Sequence, residues 1–294
     1  LSNTIRFFPD KKGLASGLIT GGMGGAAIIA APIANALIER YGVSQAFWRM
    51  GLAYALVGFF FSLFIRSAPK QAVPQTAVAS EKAPTKAITA NKNWKEMLAT
   101  PAFYLLILMF AMGAFSGLMI ASNASLIGQS MFGLSASAAA AYVSLYSLSN
   151  TSGRVFWGAV SDRIGQIRAV IIIYSAIIFA FVLLVSVNQV WAFAVGIVTL
   201  GLCFGGVMGV FPGLVMDNFG PANQGVNYGI VFIGFSSAAF VAPKVTASLA
   251  AANNGDFTKA FYVAIAVVLI GLGLSLVYAK RKADAVEAAV ETIQ

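Results

Sequence analysis

An arginine stands inside a run of residues apolar enough to cross a bilayer. Arg154 lies within the stretch 136–160, and a guanidinium at such a position costs about 3 kcal/mol unless it faces protein, water or a counter-charge. Its planar fork suits a carboxylate bidentately. Asn150, Ser147 and Tyr146 stand one and two turns back on the same face and would add neutral hydrogen bonds to a small oxyanion. Alternatively Arg154, about two turns before Asp162, snorkels towards water or pairs with that carboxylate. Lys244 is a second cation inside an apolar run. It directly follows Pro243, whose missing N–H weakens the helical ladder and offers a bend. It either faces a pathway or snorkels to the interface. No Asp or Glu falls in the middle of an apolar run, and two cations without a resident anion point to an anionic substrate, because buried charges need partners.

This chemistry is binding rather than catalysis. The chain has no His and one Cys, Cys203. No nucleophile-and-base pair, zinc site or haem site can be assembled from such residues, so no enzyme activity, cofactor or metal is expected. Of 294 residues, 59% are hydrophobic and 10% charged, with mean hydropathy +0.83. Soluble domains carry roughly 25% charge. The apolar runs are continuous rather than alternating, which predicts an all-α membrane protein and not a β-barrel. Eight candidate spans fall near 14–37, 46–65, 102–128, 136–160, 168–187, 190–215, 226–252 and 259–279.

The net charge of +9 does not indicate nucleic acid, since the basic residues sit in loops between spans rather than on one face. If the start is cytoplasmic, fourteen of the nineteen Lys and Arg residues fall on that side. Both ends are then expected in the cytoplasm of a multi-pass protein of the cell's inner (plasma) membrane. No secretory signal is expected at Leu1, where the chain is polar and runs into charge. Lipid and a small carboxylate are the expected partners, and the protein is expected to be monomeric.

Three divisions are expected: 1–66 with two helices, a cytoplasmic linker over 67–98, and 99–294 with six helices. The linker begins in an Ala-, Lys-, Pro- and Thr-rich stretch from Ser67 to Asn93, which reads as solvated. Gly13, Gly17 and Gly22 of the first helix match Gly225, Gly229 and Gly234 of the seventh at one constant offset, and Ala31-Pro32 answers Ala242-Pro243. A six-helix repeat is implied, in which the first helix is fifth of its half and four helices are missing ahead of it. The chain alone is therefore expected not to transport. Glycines at four-residue spacing also form stripes at Gly13, Gly17, Gly21 and Gly25, and at Gly201, Gly205, Gly209 and Gly213. Such stripes serve close helix packing. Asn123 and Gln129 either line a cavity or join helices.

The string G-A-V-S-D-R-I-G-Q-I-R, from Gly158 to Arg168, resembles the cytoplasmic signature loop of the major facilitator superfamily of transporters. Gly158 and Gly165 would permit close helix contact and a tight turn, Asp162 and Arg163 a pairing across the loop, and Arg168 adds charge at its end. Two strings look like the oxalate:formate antiporter family: R-F-F-P-D-K-K-G-L-A-S-G-L, from Arg6 to Leu18, and S-G-R-V-F-W-G-A-V-S-D, from Ser152 to Asp162. N-Y-G at 227–229 adds to this. The helix of Arg154 is also similar to that of the monocarboxylate transporters. The resemblance implies helices five to twelve of a twelve-helix major facilitator fold, and secondary transport of small organic anions by alternating access, as exchange. The chain departs from the antiporters after N-Y-G. Where the family places a pathway lysine, this sequence reads Ile233-Gly234-Phe235-Ser236. Asn150 also stands where monocarboxylate transporters place an aspartate, which disfavours the alternative of a proton-coupled carrier.

Overall fold

The computed structural model describes residues 1–66 and 91–291. Among the described residues every regular element is helical. A short α1 (Ser2–Phe7) and a 3-10 turn (Pro9–Lys11) lead into α2 (Lys12–Ser62). Then follow α3 (Trp94–Leu98), α4 (Pro101–Phe132), α5 (Ala136–Ile164), α6 (Gln166–Ser186), α7 (Val190–Phe219), α8 (Gln224–Val231), α9 (Ile233–Ala251) and α10 (Thr258–Glu291). Among the described residues five stretches are long and apolar enough to cross a membrane: Pro101–Phe132, Gln166–Ser186, Val190–Phe219, Gln224–Ala251 and Thr258–Asp284. Of the eight expected spans, those at 14–37 and 46–65, both within α2, and that at 136–160, helical as α5, are not among the five. In α5 the serines, Asn150 and Arg154 dilute the hydropathy.

The chain forms two compact units, Leu1–Gly22 with Thr89–Gln294, and Met23–Ile88. In the first, α5 packs on α7, α4 on α9 and α10, and α6 on α7 and α10. Phe110, Phe181, Phe193, Phe211, Phe261 and Tyr174 are fully buried between them. Helix boundaries follow local chemistry. Gly133 ends α4 in the left-handed region, at φ 63°, and Gly165 turns α5 into α6 at φ 91°, conformations a side chain disfavours. Ser135 accepts from the Ala138 N–H at the start of α5. The expected linker lies mostly outside the described residues. Its end carries α3, closed by a capping box in which Asn93 accepts from Lys95 and Glu96 N–H while Glu96 accepts from Asn93 N–H.

The two spans expected at 14–37 and 46–65 appear as one helix, α2, interrupted at a single residue, Gly42, with φ 77°. Residues 38–45, between the two expected spans, are helical apart from that break. Beside this break, the Arg49 guanidinium lies 3.4 Å from the Tyr41 ring centroid. Phe47, Trp48, Phe59, Phe60, Phe61 and Phe64 are exposed, an apolar surface suited to lipid rather than water.

Candidate functional site

Helix α5 is held from two sides by glycine. On α7, a Cβ at Gly209 would stand 2.6 Å from the Arg154 carbonyl oxygen, one at Gly201 2.8 Å from the Tyr146 carbonyl oxygen, and one at Gly205 would run into the Asn150 carbonyl. On the opening of α2, a Cβ at Gly13 would strike the Gly158 carbonyl, and one at Gly17 the Arg154 carbonyl. The four-residue spacing therefore brings backbone against backbone, as small residues do in membrane helices. Arg154 lies where both glycine faces meet.

Its side chain, 9% exposed, does not reach the helix end. Arg154 Nε donates to Asn150 Oδ1 at 3.0 Å, and Nη1 donates to the Thr20 carbonyl at 2.6 Å. The alternative pairing with Asp162 is not formed. Tyr146 donates to the Gly117 carbonyl at 2.7 Å. Ser147 donates to Val143 O on its own helix, at 3.0 Å. Arg154 and Asn150 thus meet directly, Tyr146 stands one turn before Asn150 on α5 with its hydroxyl on the Gly117 carbonyl, and the Ser147 hydroxyl is spent elsewhere.

Rings of α4, α7, α8 and α9 pack against one another. Phe110 stacks on Phe211 at 4.6 Å, Phe232 on Phe235 at 4.8 Å, and Tyr228 meets Phe232 edge-on at 5.7 Å. Lys244 is exposed, with Nζ 3.7 Å from the Phe240 ring centroid, and among the described residues no carboxylate lies within ion-pair distance of it. Asn123 and Gln129 line a cavity of about 460 Å³ between α4 and α9, although Asn123 Nδ2 donates within its own helix.

The signature loop is tied differently from the expectation. Asp162 accepts from the Gly13 N–H at 2.8 Å and the Leu14 N–H at 2.9 Å, while Arg163 and Arg168 are exposed. The helix N-terminus presents unpaired N–H groups and a positive dipole end, which a carboxylate satisfies better than an adjacent solvated arginine. Lys12, next to these N–H groups, is paired with Asp217 at the end of α7, both largely buried. Thr20, Lys12 and Asp217 were not among the candidate residues. K-K-G contained Lys12, but nothing in its spacing assigned it a partner. Among the described residues no cluster of three or more His, Cys, Asp or Glu could hold a metal.

The pattern defining the Major Facilitator Superfamily matches residues 2–243. An uncharacterized MFS-type transporter of Escherichia coli (strain K12), YhjX, is 34% identical over 80% of this chain and 57% of its own length. The oxalate:formate antiporter of Oxalobacter formigenes is 28% identical over 94% of this chain and 64% of its own length. The chain thus spans less than two thirds of both curated relatives.

Proposed function

Because the chain belongs to the Major Facilitator Superfamily, whose members are membrane transporters and not enzymes, we propose that it carries small organic anions by alternating access and exchanges one for another. The supporting observation is Arg154, a buried cation with no carboxylate within ion-pair distance among the described residues. Its guanidinium has five N–H donors, and the bonds to Asn150 and Thr20 leave others for a ligand carboxylate. Asn150 orients the fork without neutralising it.

Exchange follows from charge. An empty carrier must move past its closed state with Arg154 uncompensated in a low-dielectric surrounding, whereas a bound carboxylate cancels the charge and removes much of that cost. Return is then favoured only with another anion aboard. The opening of α2 contributes the Thr20 carbonyl to Arg154 and the Gly13 and Leu14 N–H groups to Asp162. A displacement of α2 against α5 would therefore be felt at the binding residue. Lys and Arg placement supports a cytoplasmic position for both ends in an inner membrane.

Arg154→Gln in the native protein is expected to abolish anion uptake into proteoliposomes with expression intact. Arg154→Lys should rescue weakly, because a point charge lacks the fork. Undiminished uptake by Arg154→Gln would overturn the assignment. Strict dependence on a proton gradient, without stimulation by a counter-anion, would overturn exchange.

A further inference from the structure

The geometry points to a binding site for an anionic phospholipid along the paired helices α6 and α10, with the acyl chains on exposed apolar stripes and the phosphodiester held by Arg168, Lys280 and Arg281 at one end. The pair is antiparallel. Phe181 and Phe261 meet with ring centroids 5.7 Å apart, and ten residues further along α10 a Cβ at Gly271 would stand 3.0 Å from the ring of Tyr174, seven residues back along α6. Continuing in that direction, Arg168 lies roughly 9 Å beyond Tyr174 and Lys280 roughly 14 Å beyond Gly271. Both cations therefore stand at the same end, where the Tyr278 hydroxyl donates to Asn218 Oδ1 at 2.7 Å and ties α10 to α7.

Each cation continues an exposed apolar stripe. On α6, Arg168, Ile172, Phe179 and Val182 recur at i, i+4, i+11 and i+14. On α10, Leu269, Leu276 and Lys280 recur at i, i+7 and i+11, and so do Ile270, Val277 and Arg281. Such spacing keeps each set on one helix face, and all of these side chains are exposed. Both helices are long and apolar enough to cross a membrane, so hydrocarbon suits these faces. The opening of α2 lies instead on α5 and at the end of α7.

The order of residues along α10 matches the depth profile of a phospholipid leaflet. Apolar surface runs to Val277, then come Lys280, Arg281 and Lys282, and the acids Asp284, Glu287 and Glu291 follow only after them. Arg163, exposed just before the turn into α6, adds a further cation at this end. The carboxylate next to it, Asp162, is engaged by the Gly13 and Leu14 N–H groups. A zwitterionic headgroup brings its own ammonium and gains little from such a cluster, whereas a headgroup of net negative charge is attracted by every cation in it and its phosphate oxygens fit the guanidinium forks. Acyl chains on the stripes add a hold that a free phosphate lacks.

The test is lipid binding by the native protein in uncharged detergent, titrated with phosphatidylglycerol or with phosphatidylcholine of the same acyl chains and read by native mass spectrometry and by Tm. Phosphatidylglycerol should bind ~10-fold or more tighter and raise Tm. Lys280→Gln, Arg281→Gln and Lys282→Gln together should weaken it ~100-fold, each cation near an anionic surface contributing about fivefold, and should leave phosphatidylcholine unchanged. Arg168→Gln, on the other helix of the pair, should weaken it about fivefold and serves if the triple variant does not fold. Removing three cations elsewhere, by Lys11→Gln, Lys92→Gln and Lys95→Gln, should cost less than about threefold, because salt screens charges distant from the headgroup. Equal binding of the two lipids by the unaltered protein would overturn the proposal, as would unchanged phosphatidylglycerol affinity in the α6 and α10 variants or an equal loss in the control. An equal rise in Tm with inorganic phosphate would reassign the site to a free anion and overturn it too. None of these readouts uses transport, so the outcome is independent of the role of Arg154.

Discussion

Gly17→Ala should cost the protein far more than Gly22→Ala, although the two glycines lie five residues apart on the same helix. At Gly17 a Cβ would run into the Arg154 carbonyl oxygen and stand 2.9 Å from its carbon and 3.1 Å from Val155 Cα; at Gly22 it would meet nothing within 4 Å. The obstacles at Gly17 are backbone atoms, so no rotamer change relieves them. Restoring van der Waals separation requires roughly 1 Å of retreat between α2 and α5. The same retreat would stretch the 2.6 Å bond from Arg154 Nη1 to Thr20 O beyond hydrogen-bonding range. Overpacking costs about 1–3 kcal/mol, and losing a hydrogen bond to a charged group about 1.5–3 kcal/mol. Replacing a helical glycine returns about 1 kcal/mol. The net destabilisation is about 2–5 kcal/mol, a fall in Tm on the order of 10 °C, whereas Gly22→Ala should be neutral or slightly stabilising. Thermal unfolding of the purified protein measures both. In an Arg154→Gln background the Gly17→Ala penalty should shrink by the hydrogen-bond share. Equal Tm values for the two alanine variants, or strict additivity with Arg154→Gln, would refute the coupling of this glycine contact to the arginine.

Asp217→Ala should destabilise the protein by about 3 kcal/mol or more, since it leaves the largely buried Lys12 ammonium without that counter-charge, and adding Lys12→Ala should recover much of the loss; a thermal-unfolding comparison of the single and double variants reads it. Asp162→Ala should cost about 0.5–2 kcal/mol by exposing the N–H groups of Gly13 and Leu14, with Asp162→Asn intermediate because an amide oxygen still accepts but carries no charge for the dipole; both are checked by Tm. Tyr146→Phe leaves the Gly117 carbonyl without that donor and should destabilise by about 1 kcal/mol, measurable by the same scan, with an accompanying loss of anion affinity in a competition assay.

Much of the architecture was legible in the chain because a bilayer accepts so few backbone solutions. Long apolar runs between 101 and 284 had to be helices, and the glycines, serines and caps that end them act within a few residues. The strings around Arg154 and Gly158 were similarly local and pointed to the family before any packing was known. Single residues inside an apolar run also reveal their cost: Arg154 and Lys244 were conspicuous because charge is expensive there, whatever surrounds it. What surrounds it depends on contacts between residues far apart in sequence. Helical periodicity placed Asn150 beside Arg154, but only the packed bundle brought the Thr20 carbonyl to the guanidinium, across 134 residues. Asp162 met the start of α2 instead of Arg163, because an N–H pair separated from it by nearly 150 residues is a stronger partner than a solvated neighbour. In one dimension Lys244 was open to either a pathway or an interfacial position; in three, its helix carries it to an exposed side while Arg154 is enclosed by glycine faces. Local chemistry determines which residues can carry charge into a membrane helix, and tertiary packing decides which of those charges share a site.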